Sequence, residues 1–393
     1  MKKCSLCVFT GTRAEYGLLR PLMERIRADK SVHLRVIASG MHLSRKFGHT
    51  YKEIIKDGFK VDYKAAMPVE NDSPSGLCAA VSAGLVSIAR AYEKLKPDAV
   101  IILGDRFEAL SAAIAAVFLK VPIVHLHGGE STFGLIDESI RHSITKMSWL
   151  HFTSAETYRN RVIQLGEDPK TVFNVGAIGL DNITSMNLLS RAELSRQLKL
   201  GLDGKIAAVT FHPVTLDLEP PRKQFSALLD SLDLFPELKL VFTMPNADPG
   251  NATIVKLIKR YVRKYPLRAR AFTSLGQLRY LSLLKHAAVV VGNSSSGIIE
   301  APSFFVPTVN IGDQQKGRVQ GGTVINCLPS VPAISAAIEK GLSKKFKEQC
   351  SNLRNPYGDG KTSMRILKIL RENIKRRINL MKVFYDLPGN PRV

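Results

Sequence analysis

Cysteine is scarce: five residues in 393, an odd number at no framework spacing. That excludes a disulfide scaffold and points to a reduced, cytoplasmic protein. Cys4-x-x-Cys7 has metal or redox spacing, but it falls in an expected buried strand with no second pair, so both read as core cysteines. Long apolar runs are missing too. The longest, residues 109–119, stops at Lys120, short of a membrane span. The stretch after Lys2-Lys3 is too short for a signal peptide. No H-x-x-x-H or other ligand spacing occurs, so metal ligation is not expected. Acid is in deficit, 34 Asp and Glu against 56 Lys and Arg, for a net charge of +22. Such a charge suits nucleic acid, an anionic membrane surface or polyanionic small substrates. No recognition-helix or RNA-binding signature accompanies it. The basic residues are scattered, densest at Lys375-Arg376-Arg377, which reads as a solvated basic surface. Neither a nucleic-acid nor a membrane partner is expected.

What is present is alternation. At 393 residues the chain is long enough for two domains. Short apolar runs at 5–9, 33–38, 100–103, 123–126, 150–153 and 172–175 alternate with helix-like segments, among them 75–95 and 156–165. A polar, helical stretch at 179–204 reads as the linker. A second series follows, with strands at 206–211, 240–243, 288–291 and 306–311, a helix at 275–285, and a long terminal helix at 361–383. This spacing predicts parallel, doubly wound sheets. The fold class is therefore α/β with two Rossmann-like doubly wound domains and a cleft between them. The boundaries fall at 1–185, 186–360 and 361–393, the last segment packing back on the first domain.

The chemistry-bearing residues gather where strands end, the ligand edge of such sheets. Gly11-Thr12-Arg13 follows the first strand and opens a helix near Tyr16; it is not G-x-G-x-x-G, but a small-residue turn with an Arg can hold a phosphate. Asp105, Glu130, Asp137 and Glu138 form an acidic set, with His125, His127, His142 and His212 as imidazoles, a composition for proton transfer. Asp105 and Asp137 also fit helix caps, and Arg141, one turn from Asp137, also fits a surface pair. Asn293-Ser294-Ser295-Ser296-Gly297 is the clearest anion turn, although an ordinary capped helix start has the same look. Glu300 lies one turn on, where it can accept from ribose hydroxyls, and Lys316 and Arg318 lie near the same edge.

Together these residues resemble the UDP-N-acetylglucosamine 2-epimerases, specifically the hydrolysing branch used in sialic- and legionaminic-acid-type synthesis. The resemblance runs from Gly11-Thr-Arg-Ala-Glu-Tyr-Gly17 to Asn355-Pro356-Tyr357. It is strongest at 104–108, 125–130, 137–146, 161–167, His212-Pro213, 292–300 and 311–318. It implies the two-domain glycosyltransferase-B fold with the active site in the interdomain cleft. It also implies a route with no cofactor and no metal: UDP leaves by anti elimination to a glycal, and water then adds to give free N-acetylmannosamine. On that template Asp105 and Asp137 look like the acid/base carboxylates, with Arg141 close by. His212 and Arg13 look like diphosphate-side residues. Ser294, Ser295 and Glu300 look like the UDP cradle, with Asn246 and Tyr280 beside them. Other branches place a Glu where His127 stands, which leaves Glu130 as the nearest carboxylate. An Arg is common in place of Gln314. The family implies a homodimer or homotetramer, and part of the positive charge would draw in the doubly charged sugar nucleotide. Three other readings stay open: the same reaction on UDP-2,4-diacetamido-2,4,6-trideoxyglucose, a glycosyltransferase of the same fold, and a basic nucleic-acid-binding protein.

Overall fold

The structure is a computed structural model and describes residues 3–69, 73–132, 136–213, 220–245, 251–374 and 378–388. The chain divides into two units, Met1–Asn182 with Tyr357–Val393, and Ile183–Pro356. The boundaries expected after residues 185 and 360 therefore lie at 182/183 and 356/357. Residues 357–360 go with the first unit because Tyr357 is buried there: its hydroxyl meets that of Tyr158 at 3.0 Å, and its carbonyl accepts from Ala177 N at 2.7 Å.

The first unit is built on seven strands: β1 Cys4–Thr10, β2 Val32–Ser39, β3 Tyr63–Ala65, β4 Ala99–Leu103, β5 Ile123–Leu126, β6 Leu150–Thr153 and β7 Val172–Asn174. All pair in parallel, in the order β3-β2-β1-β4-β5-β6-β7. The reason is visible in β4, Ala-Val-Ile-Ile-Leu, which is buried on both faces as a sheet covered by helices on both sides requires. Period-two alternation sorts β1 between two cores. Leu6 and Val8 pack with Leu19, Leu22 and Ile26 of the helix Arg13–Ala28, while Cys7 and Phe9 pack with Ala112 and Ala116 of the helix Phe107–Phe118. Cys4 and Cys7 thus face opposite sides of the sheet, and all five cysteines are free.

The second unit has six parallel strands: β8 Ile206–Thr210, β9 Lys239–Thr243, β10 Ala269–Phe272, β11 Val289–Gly292, β12 Thr308–Ile311 and β13 Val324–Cys327. Their order is β10-β9-β8-β11-β12-β13. In both units the winding reverses beside the first strand, between β1 and β4 and between β8 and β11. The crevice outside the carboxyl ends of those strands is where such folds bind ligands.

Several expectations are corrected. The edge strands β3, β10 and β13 went unread because they are three or four residues long, too short to show a period. The region 179–204 is not one helical linker but two helices, Asp181–Ser185 and Arg191–Leu198, the second restarted by a capping box in which Ser190 and Glu193 satisfy each other's backbone. The terminal helix is Thr362–Ile374, not 361–383. Its start is fixed by Asp181, whose carboxylate accepts from Thr362 N and Ser363 N. Residues 378–388 exchange helix for tertiary bonds: Lys382 donates to the carbonyls of Lys146 and Ser148 and pairs with Glu167, and Tyr385 N reaches Gly166 O. The basic run 375–377 lies outside the described residues. One helix, Pro74–Leu95, does reach membrane-spanning length, with a mean hydropathy of 1.3 over its most apolar window. Its buried residues Ala80, Gly84, Ile88 and Ala91 form one stripe, and Tyr92 bonds Ala112 O, as in a helix laid on a neighbouring layer.

Candidate active site

In the first unit, parallel register brings the site together. Leu103 of β4 pairs with Leu126 of β5, and Gly104 N donates to Leu126 O, so Asp105 and His127 emerge from adjacent strands. Asp105 does not cap the following helix, whose N-cap is Arg106. Across from it the helix Ile136–Met147 turns Arg141 inward, with only 2% of its surface exposed. Its guanidinium donates to Asp105, to Thr132 Oγ1, to Glu138 Oε2 at 2.6 Å and to the Glu130 carbonyl at 2.7 Å. Arg141 is therefore not a surface partner of Asp137 but a buried clamp that ties its own helix to the Asp105 turn and to Glu130 and Thr132. Burial opposes its charge, and the carboxylates of Asp105 and Glu138 more than compensate.

Asp137 lies within the helix Ile136–Met147 rather than at its cap. Burial, joined by the charge of Asp105, raises its carboxyl above the ordinary value, against the pull of Arg106 and Arg141. The two aspartates thus stand in different surroundings, one bonded to Arg141 and the other holding its proton more firmly than usual. Acid/base chemistry needs such a division. Glu138 has a structural part: it accepts from Thr132 N at 2.6 Å and Ser131 Oγ at 3.1 Å, and contacts His142. Burial works against its charge, but the Thr132 amide and Arg141 outweigh it and hold the carboxyl below its usual range.

His127 and Glu130 form a pair. His127, at φ +66°, sets Nδ1 2.9 Å from Glu130 Oε1, and its Nε2 accepts from Ile178 N at 3.3 Å. Those two bonds fix the tautomer with the proton on Nδ1. Ser154 Oγ donates to the same Glu130 oxygen at 2.7 Å. Glu130 thus reaches Arg141 through its carbonyl, while its carboxylate faces His127 and Ser154. His125 is a buried tie rather than a proton shuttle. Its Nε2 meets Gly104 O at 2.9 Å and its Nδ1 meets Thr145 Oγ1, and burial drives the imidazole down to about 3. Arg13 stands at the end of β1, at the first position of its helix, where its Nε pairs with Glu53 at 2.9 Å.

In the second unit the edge of β8 and β11 carries His212, Asn293, Ser294, Ser295 and Glu300. Gly292, at φ +141°, presses on β8: a Cβ there would come within 1.8 Å of Thr210 O. Asn293, 1% exposed, is not a ligand donor but a staple. Its Oδ1 accepts from His212 N at 2.7 Å and its Nδ2 donates to His212 O at 2.9 Å. Gln315, which sequence reasoning missed, donates to Asn293 O at 2.8 Å. In the turn that follows, Ser294 Oγ accepts from Ser296 N at 3.4 Å, a local bond at the helix start. The helix is one turn, Ser296–Ile299, and its N-cap Ser295 makes no side-chain cap bond, which leaves that hydroxyl for another role. The Tyr280 hydroxyl faces Ser296 and Thr210; burial and then the Glu300 charge raise it, and the two hydroxyls only partly offset that. Lys316 is exposed and paired with Asp313 at 3.3 Å, and Arg318 N closes a turn on Gln315 O. Asn246 lies outside the described residues.

The sequence pattern described as UDP-N-acetylglucosamine 2-epimerase matches residues 24–371, nearly the whole chain. The chain belongs to the hydrolysing UDP-N-acetylglucosamine 2-epimerase family. It is 43% identical, over 98% of its length and 100% of the relative's, to the GDP/UDP-N,N'-diacetylbacillosamine 2-epimerase (hydrolyzing) of Campylobacter jejuni. It is 36% identical to the UDP-N,N'-diacetylbacillosamine 2-epimerase (hydrolyzing) of Legionella pneumophila, over 92% of this chain and 94% of that one. Among solved structures it is similar to the UDP-GlcNAc 2-epimerase of Neisseria meningitidis bound to UDP-GlcNAc, with a TM-score of 0.80 at 20% identity, covering 94% of this chain and 100% of that one. That likeness shows the fold. Both units of this epimerase are Rossmann-like α/β layers of the glycosyltransferase-B type.

Proposed function

We propose that this epimerase converts a UDP-linked 2-acetamido-hexose and water to UDP and the free sugar inverted at C2, and that its substrate is UDP-N,N'-diacetylbacillosamine. The diacetylated substrate is favoured by the names of the relatives at 43% and 36% identity. UDP-N-acetylglucosamine is the second reading, favoured by the description of the family as a whole.

The observation that carries the chemistry is the buried Arg141 clamp, which fixes Asp105 while Asp137 beside it keeps a raised proton affinity. In the proposed reaction a carboxylate takes the C2 proton as the C1–O bond to UDP breaks, leaving a C1=C2 glycal. Water oxygen then adds at C1, and a proton returns to C2 from the opposite face. Positioned acids and bases contribute roughly 10² to 10⁴ in rate. We assign the nucleotide to the β8 and β11 edge, with Ser294, Ser295 and Glu300 as its cradle and His212 on the diphosphate, where fixed donors stabilise the leaving charge.

The test offers both UDP-sugars in D₂O and, separately, in ¹⁸O water. The expected product carries deuterium at C2 and ¹⁸O at C1, with faster release of UDP from the diacetylated substrate. Retention of the original C2 hydrogen would overturn the mechanism, and faster turnover of UDP-N-acetylglucosamine would overturn the substrate.

A further inference from the structure

Beneath the same edge of the first unit lie two carboxylates that the reaction above does not use. Glu108, in the first turn of the helix Phe107–Phe118, is fully buried. It lies in space that two glycines leave open: a Cβ on Gly11 would come within 2.8 Å of Glu108 Cβ, and one on Gly40 within 2.9 Å of its Cγ. Its Oε2 takes Arg106 Nε at 3.2 Å, and among the described residues its Oε1 has no partner. Glu15, 9% exposed, accepts from Gly11 N at 2.7 Å and Thr12 N at 3.2 Å through Oε2, and its Oε1 is likewise without a partner. Two buried carboxylates, each with an idle oxygen, face a single guanidinium. Water cannot reach the surplus negative charge, so a proton on Glu15 is the least costly way to balance it.

Among the described residues, charged and titratable groups come from each element packed near the pair. From the turn after β4 come Asp105 and Arg106, and Arg106 is acted on by Glu108, Glu15 and Asp137. The helix Ile136–Met147 contributes Asp137 and Arg141. The turn after β2 contributes His42, whose two nitrogens meet Thr10 Oγ1 and Thr50 Oγ1 and whose imidazole burial lowers to about 4, so it adds no charge near neutrality. Arg13 is taken by Glu53, and the helix Pro74–Leu95 carries no charge before Arg90.

Resting on the functional reading above, we propose that Glu15 and Glu108 are positioning residues that, through Arg106, set the charge felt by the acid/base group Asp137. Arg106 stands between the two sides. Its charge is drawn toward Glu108 and Glu15 when Glu15 is ionised, and acts more on Asp137 when Glu15 holds its proton. Burial and the neighbouring Glu108 raise Glu15 to about 7, which puts its exchange near neutral pH.

The test is the pH profile of kcat/KM for UDP release in wild type, Glu108→Gln, Arg106→Met and the double variant. Trp149 fluorescence checks that each variant is folded. Glu108→Gln keeps an acceptor for Arg106 but removes the opposing charge, so the acid limb moves down by about half a pH unit or more. Arg106→Met moves it up, and adding Glu108→Gln to that variant causes no further shift. An unmoved limb in folded Glu108→Gln overturns the proposal, as does a Glu108→Gln shift that persists without Arg106. If wild type turns over neither UDP-sugar, the functional reading fails by itself. The ¹³C carboxyl titration of Asp137, assigned by loss of its signal in Asp137→Asn, then decides the proton link without turnover by the same criteria.

Discussion

Replacing Arg141 with methionine removes the buried cation while keeping an unbranched side chain of similar reach. Two carboxylates, Asp105 and Glu138, each 27% exposed at the side chain, lose their shared partner, and the Glu130 carbonyl loses its donor. Breaking a buried pair by deleting one member costs about 3 to 5 kcal/mol. Partial access of water to both carboxylates brings the expectation to about 2 to 4 kcal/mol. In a unit of this size each kcal/mol moves Tm by about 2 to 4 °C. The chain has a single tryptophan, Trp149, which packs against the first unit's core, so its fluorescence reads the unfolding of that unit alone. The pH dependence has a definite sign. The folded carboxyl of Glu138 is held below its ordinary value of 4.5, so the stability it draws from Arg141 is full above that value and is lost as pH falls through the lower folded value. The gap between wild type and variant should therefore narrow on acidification below pH 4.5. With Asp105 no longer fixed, kcat should fall by about 10² or more. A loss under about 1 kcal/mol, the range of an exposed pair, with kcat within about tenfold of wild type would refute the clamp.

Glu130→Gln should lower kcat by about 10² or more if the carboxylate beside His127 transfers a proton, with His127→Asn costing less. Steady-state rates in the reverse order would assign the role to His127. Glu300→Ala should raise KM with kcat little changed, because a carboxylate on ribose hydroxyls binds ground and transition states alike, and a fall in kcat at constant KM would disprove that role. Gly166→Ala should destabilise the first unit by about 1 to 3 kcal/mol: Gly166 has φ +84°, and a Cβ would come within 2.3 Å of the Phe384 ring. Limited proteolysis should then release residues 378–388 first, and unchanged cleavage would show that the segment is not held there.

The sequence by itself determined the two doubly wound layers and the edges on which chemistry sits. Parallel strands buried on both faces are continuous apolar runs, and a run that stops at Gly104-Asp105 or at Gly292-Asn293 marks its own carboxyl end. These are local patterns, legible one window at a time. Edge strands such as β3 escaped because three residues hold no period, and the last turns of the expected terminal helix were lost to bonds with Gly166 and Glu167, distant in the chain. Pairing at the site belonged to tertiary structure alone. Helical spacing offered Asp137 to Arg141, but the packed helix turns Arg141 to Asp105, 36 residues away. Asn293 had the look of an anion donor until strand order set β11 beside β8 and gave both ends of its amide to His212. Glu15 and Glu108 could not be read as a pair because what joins them is the gap left by Gly11 and Gly40, and a gap has no sequence period. Composition and periodicity report which faces are apolar. Which polar atoms meet depends on register between segments far apart in the chain, and that is decided only when the sheets close.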